Sequence, residues 1–472
     1  MKLHSAFCLA LPLMFAACSG TDQEQASDSD TASSTMFSGT ANEVKLITLD
    51  PGHFHAALVQ KFMYDQVDSV VHVYAPEGED LQMHLQRIEN FNGREENPTN
   101  WKEEVYTGPD FFEKMMEEQA GNVVVLSGNN AKKTEYINTS VEAGLNVLAD
   151  KPMVIHPSNY PTLKSAMTTA EENGVLLYDI MTERHEITTI LQKELAQHAS
   201  VFGELEKGTP DNPAISKESV HHFFKYVSGS PLIRPAWFFD TEQQGEGIVD
   251  VSTHLVDLIL WECFPEEGID ITEVEVVHAR RWPTKLTPSQ FKKVTNLSKY
   301  PNYLKKDIQE DSVLNTFANG EFVFTVRGVH GKVAAIWNFQ APEGAMDTHY
   351  SIMRGTKANL IIRQDAPQNY KPTLYVEPIN QNDSDFEEAL QAALEDIGQQ
   401  YPGLEMKTAE GGWEIIIPEK YKVGHEAHFA QVTEQFLQYL VDGRVPQWEV
   451  DNMLTKYYLT MQAYEKSREQ VQ

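Results

Sequence analysis

Three ionisable residues share one stripe of an apolar stretch. Asp250, His254 and Asp257 fall at i, i+4 and i+7 within residues 245–261, so a helix there sets them on one face. Ile248, Val249, Val251, Leu255, Val256, Leu258, Ile259 and Leu260 cover most of the remaining circumference, and a helix apolar nearly all round is buried. Buried Asp and His need partners, because desolvating them unpaired is costly. The stripe is therefore either a closed hydrogen-bond network or the wall of a cleft.

What positions this stripe is read from the apolar pattern. Short β-rich runs at 44–49, 70–74, 122–127, 145–149 and 175–178 alternate with helical segments at 56–62, 132–143 and 161–173. Runs apolar on both sides and separated by helices predict a parallel, doubly wound sheet. From about Ser219 the pattern turns to β, with runs at 273–277, 321–326, 334–339 and 359–362. Asn319-Gly320 and His330-Gly331 are hairpin-type turn signals. Helices are expected over 182–197, 426–441 and 452–467, and the acidic stretch 382–412 reads as an irregular or helical insertion. The predicted fold class is α/β: a Rossmann-type doubly wound parallel sheet plus an α+β domain with a large, mostly antiparallel open sheet. The corresponding domains are 44–180 for the cofactor and 181–472 for the substrate.

Ligands of a doubly wound sheet bind beyond the carboxyl ends of its strands. Gly52, His53 and Phe54 follow the first strand, where a dinucleotide fold has its glycine-rich turn; of the fingerprint glycines only Gly52 is present. Glu77 follows the second strand, where an acid accepts from an adenosine ribose and favours NAD over NADP. Ser127, Asn129 and Asn130 supply small polar groups after the third apolar run, although Asn130 also suits a helix cap. Asp150 and Lys151 precede Pro152, which restricts Lys151 to an extended backbone and can aim its amine across the cleft. Partial desolvation there lowers a lysine pKa.

The formal charge is 38 − 69 = −31, which speaks against nucleic-acid binding. Of three cysteines, Cys8, Cys18 and Cys263, only the last lies in the folded part. There is then no disulfide framework and no cysteine zinc site, and no metal is expected. Residues 1–17 read as a secretion signal whose end, Phe15-Ala16-Ala17-Cys18, resembles a lipobox with Cys18 as the lipidated residue. Residues 18–43 are polar and read as a disordered tether. The expected location is export, lipid-anchored to the periplasmic or cell-surface face of a bacterial membrane. Contact with the membrane is expected only through that anchor.

The order of the pieces resembles the Gfo/Idh/MocA oxidoreductases. Residues 143–152, ending Ala149-Asp150-Lys151-Pro152, are similar to that family's "aGkhVl-EKP" segment, with Asp150 in place of Glu. Residues 247–257 resemble its "GGgxxxDxGxHxxD" segment, with Ser252 where Gly is common, and Gly355-Thr356-Lys357-Ala358 resembles its late "GtkG" turn. The resemblance runs from about Val44 to Ile362. It implies an NAD cofactor between the two sheets and a carbohydrate or polyol substrate beside it. It also implies that Lys151 binds substrate and nicotinamide, that Asp250 contacts the substrate or tunes its neighbours, and that His254 is the acid/base. Asp250 would raise the basicity of His254 and fix its tautomer, while Asp257 orients the helix. Arg184, His222, Lys225 and Trp237 are sugar-cleft residues by position, and Trp237 equally suits the core. A homo-oligomer through the open sheet is a further expectation.

The resulting function is NAD-dependent oxidation or reduction of a saccharide or polyol hydroxyl, with a tightly held cofactor. Two alternatives stand beside it: an NAD-dependent glycosidase of the same superfamily, and a non-catalytic glycan-binding protein on a decayed enzyme fold. The lone glycine of the turn, crowded by His53 and His55, motivates the last.

Overall fold

The runs apolar on both faces become the centre of a parallel sheet. In the computed structural model, which describes residues 37–227, 230–309 and 312–469, six strands are β1 (Leu46–Leu49), β2 (Val70–Ala75), β3 (Lys102–Thr107), β4 (Val123–Leu126), β5 (Asn146–Asp150) and β6 (Leu177–Ile180). Their order is β3-β2-β1-β4-β5-β6, all parallel. Every residue of β1, β4, β5 and β6 is buried. β3 is the strand the apolar pattern misses. It lies at the sheet edge with a Lys-Glu-Glu start and no fully buried residue, as edge strands commonly do. The order reverses direction between β1 and β4, the switch point where open sheets bind ligands.

The second sheet has ten strands. Val274–Leu286, Val313–Val326, Val329–Gln340 and Ile215–Phe224 make one half. Thr348–Arg354, Ala358–Gln364, Thr373–Pro378, Gly412–Ile416 and Glu405–Ala409 make the other, and Ile308–Gln309 pairs at the side. All neighbours are antiparallel except Val329–Gln340 against Ile215–Phe224. The acidic stretch forms a helix, Phe386–Ile397, followed by the hairpin that extends the sheet.

Neither expected hairpin glycine sits in a turn. Gly320 and Gly331 are strand interiors, and the chain turns at Arg327 and Gly328, whose φ values are 50° and 79°. A Cβ on Gly320 would strike Ile248, and one on Gly247 would strike the carbonyl of Ala318. These glycines let the approach to the central helix lie directly on the sheet.

That helix is Val251–Cys263, with Asp250 as its N-cap. It packs on the large sheet and on the last helix, Gln447–Glu469. The expected helix over 182–197 is broken at Glu186 into a short 3-10 turn and Ile187–Gln197. The described residues form one compact unit. No helix among them is long and apolar enough to cross a membrane. The signal, Cys18 and most of the tether fall outside the described residues.

Candidate active site

The Asp250-His254-Asp257 stripe is divided by its surroundings. Asp257 belongs to a closed network. Arg184 donates to it through Nε and Nη2 at 2.6 and 2.7 Å, and through Nη1 to both oxygens of Glu449 at 2.8 and 2.7 Å. Lys456 bridges Asp257 and Asp179 at 2.7 and 2.8 Å. Burial alone would raise the Asp257 carboxyl, but Arg184 and Lys456 outweigh it and hold it well below the usual range. Arg184 is thus corrected from a sugar-cleft residue to a core residue, since its guanidinium is fully occupied by buried carboxylates.

Asp250 faces the other way. Its Oδ1 accepts from Lys151 Nζ at 2.6 Å and its Oδ2 from Gln244 Nε2 at 3.1 Å. This joins the carboxyl end of β5 to the N-cap of the central helix. Burial would lower the Lys151 pKa, but Asp250 and Asp150 outweigh it and the value is raised. The expected lowered lysine is corrected on this point: Lys151 is a fixed cation and a hydrogen-bond donor. Asp250 makes no hydrogen bond to His254, so it does not set that tautomer. The buried Nδ1 of His254 has no partner among the described residues. Burial and then Lys151 push the His254 pKa well below 6.5, leaving a neutral imidazole at neutral pH.

The first-strand turn is closed on itself. The backbone N–H groups of Gly52 and His53 donate to the Ser127 carbonyl at 3.2 and 3.3 Å. The helix that follows is a single turn, His55–Leu58, with Phe54 as its N-cap. Trp237 lies over Gly52, where a Cβ would sit 3.2 Å from the ring, and its indole N–H donates to Asp80 at 2.8 Å. Trp237 is thereby corrected from a sugar platform to a cover on this turn. On one side of it a cavity of about 420 Å³ opens between Glu77, Asp80, Arg234 and Tyr303.

Asn129 donates to the Gln243 side chain at 2.7 Å. Asn130 donates to the carbonyls of Gln243 and Gln244, through its backbone and side chain respectively. Both asparagines therefore tie the parallel sheet to the segment leading into the central helix. Asp150 Oδ2 accepts from Ser127 Oγ and pairs with His55 Nδ1, each at 2.9 Å.

His222 and Lys225 meet on Asp347, at 2.8 and 2.6 Å. Beside them His221 stacks on Trp337 at 4.8 Å, and burial, with Lys225 and Lys151 against the opposing Asp347, lowers its pKa. Arg234 is buried against Phe238 and Trp337. Burial lowers its pKa to about 10, opposed by Asp347 and Asp250. Glu183 completes the surroundings of Lys151, its carboxyl pushed up to about 7 by burial and Glu186. His221, Arg234, Asp347 and Glu183 were missed by the motif reading. Glu183, Arg234 and Asp347 lie in connections and His221 within the strand Ile215–Phe224, where no motif marks them.

A family profile described as "Putative oxidoreductase C terminal domain" matches residues 191–468. A crystal structure of a "putative oxidoreductase" from Parabacteroides merdae is 53% identical, covers 92% of this chain and 99% of its own, and superposes with a TM-score of 0.90. The chain belongs to the Gfo/Idh/MocA-type oxidoreductases. The fold alone is shared with two further solved structures. One is levoglucosan dehydrogenase in complex with NADH and levoglucosan (11% identity, 90% of this chain, 97% of the other, TM-score 0.56). The other is a 3-ketoreductase from Actinomadura kijaniata with NADP and TDP-benzene (13% identity, 88% and 95%, TM-score 0.52). No curated protein matches the chain.

A nicotinamide dinucleotide fits the residues of this Gfo/Idh/MocA chain at its two ends. Lys151, Asp250 and His254 would meet its ring end, and Glu77, which lines the cavity beyond β2, its adenosine end. Between them the turn that would hold the diphosphate has the amides of Gly52 and His53 bonded to the Ser127 carbonyl and Trp237 lying over its glycine, so a diphosphate there would need other donors.

Proposed function

We propose that the chain oxidises or reduces a hydroxyl carbon of a saccharide or polyol, using NAD seated between the two sheets. The Lys151–Asp250 pair at the carboxyl edge, with His254 one turn along the same helix, is the observation that carries this reading. When bound, the nicotinamide supplies the hydride acceptor or donor. Lys151, kept cationic by Asp250 and Asp150, donates a hydrogen bond to the reacting oxygen and lowers the cost of its developing charge. His254 is neutral and accepts the hydroxyl proton. An imidazolium beside Lys151 is disfavoured, so the proton must leave promptly; Glu183, whose carboxyl burial pushes up to about 7 and whose charge Lys151 feels, is the group suited to accept it. Two structures that share the fold, levoglucosan dehydrogenase with NADH and levoglucosan and a 3-ketoreductase with NADP, support the reading. With the lipobox-like start, the reading places the reaction at the periplasmic or surface face of a bacterial membrane. There the cofactor is retained and recycled in the site.

Mass spectrometry of the purified, denatured protein tests this directly. Released NAD(H) at near one equivalent is the expected result. If none is released and added NAD does not bind, the reading is wrong and the glycan-binding alternative gains. If NAD is bound, products from aryl glycosides distinguish simple oxidation from glycoside cleavage.

A further inference from the structure

The residues that obstruct a normal diphosphate turn share one property: they are metal-ligand types. His53 and His55 leave β1 two residues apart, and Asp150 ends β5, two strands away. At the switch point between β1 and β4 the fold brings them together. One nitrogen from each imidazole and one carboxylate oxygen all lie within 4.8 Å of one another. His55 Nδ1 is 2.9 Å and His53 Nδ1 is 3.8 Å from the same Asp150 Oδ2. The two imidazoles are edge to face at 4.0 Å between centroids.

We propose that His53, His55 and Asp150 form a binding site for one divalent first-row transition metal ion. Two imidazoles with one carboxylate make a donor set that suits zinc, iron or cobalt better than the hard calcium or magnesium ions. The support a ligating carboxylate requires is already present, because Ser127 Oγ holds Asp150 Oδ2 at 2.9 Å. The internal alternative is weak for His53. Its Nδ1 accepts only a 3.4 Å contact from the His55 amide, and 3.8 Å to Asp150 is no hydrogen bond. His55 and Asp150 are buried, whereas the His53 side chain is 22% exposed. An ion held there would reach the cleft from the His53 side, with three protein ligands and coordination positions left for oxygen donors of a bound molecule. Lys133 donates to the Asp150 carbonyl at 2.8 Å, and the charges of Lys133 and Lys151 act on the Asp150 carboxylate, which disfavours further positive charge beyond one ion. The inference does not depend on the nicotinamide reading: a metal can be present with or without NAD.

The experiment uses the whole chain, stripped with a chelator and then titrated with Co²⁺, followed by visible absorption and by competition with Zn²⁺. Elemental analysis after dialysis gives the stoichiometry. One equivalent retained, with a d–d spectrum of a nitrogen–oxygen site, is expected. His53→Gln, at the partly exposed ligand, should weaken binding at least tenfold, and His55→Gln and Asp150→Asn should do so as strongly if those buried variants fold. His156→Gln, at an exposed histidine outside the cluster, should leave binding unchanged. No metal retained by the unaltered chain above what His53→Gln retains, or equal binding by His53→Gln, overturns the proposal. Released NAD(H), scored on the same samples, reports on the nicotinamide reading separately.

Discussion

Lys151 donates to Asp250 at 2.6 Å across the cleft, so the end of a parallel strand and the cap of the central helix hold a single ion pair. Both side chains are nearly buried, at 11% and 8% exposure. Removing one partner leaves the other charge uncompensated. Lys151→Met and Asp250→Asn should each lower kcat/KM by roughly 10²–10³-fold, the scale of a lost oxyanion donor. Steady-state kinetics on the sugar substrate check this, and unchanged kinetics in both variants would remove the pair from the chemistry.

Arg184 should behave as a structural residue. Arg184→Met leaves Asp257 and Glu449 buried side by side with only Lys456 to neutralise Asp257, a loss on the order of 3–5 kcal/mol. Urea denaturation measures it, and protein that still folds should keep its substrate KM. A KM raised tenfold at unaltered stability would return Arg184 to the substrate site.

Acid should destabilise the protein through a buried histidine. His84 is 2% exposed, both of its ring nitrogens lack partners among the described residues, and burial lowers its pKa to about 4. A depressed folded pKa contributes stability above the unfolded value of 6.5, and that stability is lost as pH falls toward the folded value. For His84 alone the loss from pH 8 to pH 5 is about 2 kcal/mol. Replacing it, as in His84→Leu, should flatten that part of the stability–pH curve measured by denaturant titration. An unchanged slope would show that His84 does not titrate in this way.

Trp237 separates cover from platform. Trp237→Phe keeps an aromatic ring over Gly52 and removes the bond to Asp80, at a cost of about 1–3 kcal/mol for the carboxylate left without its donor. Trp237→Ala uncovers the turn, and dinucleotide affinity by calorimetry should rise. A fall in affinity would mean that the indole is itself part of the wall that holds the ligand.

The sequence made the middle of the parallel sheet legible, because β1, β4 and β5 are apolar on both faces. It hid β3, whose Lys102, Glu103 and Glu104 are those of an exposed edge. Lys151 and Asp250 were legible because each stands in a short segment of characteristic spacing. The ion pair between them, spanning 99 positions, was not. Arg184 carried no mark of its carboxylates, which lie 73 and 265 positions away. Glycines misled for a related reason: Gly320 and Gly331 look like turn residues, but what they accommodate is backbone and side chains packed against the strand. His53 and His55 were visible as an obstruction at the turn. Their convergence with Asp150 depends on the strand order, which no local pattern encodes.

The last helix, Gln447–Glu469, bears on how such chains can be rearranged. Tyr457 donates to Asp179 in β6, Lys456 bonds both Asp179 and Asp257, and Tyr160 donates to the Leu454 carbonyl. The middle of this helix is thus addressed to the parallel sheet as much as to the ten-stranded one. A chimera that joins the first 180 residues of one relative to the remainder of another would inherit mismatched charges in its interior. Recombination among these proteins should therefore succeed only when β6 and the last helix travel together.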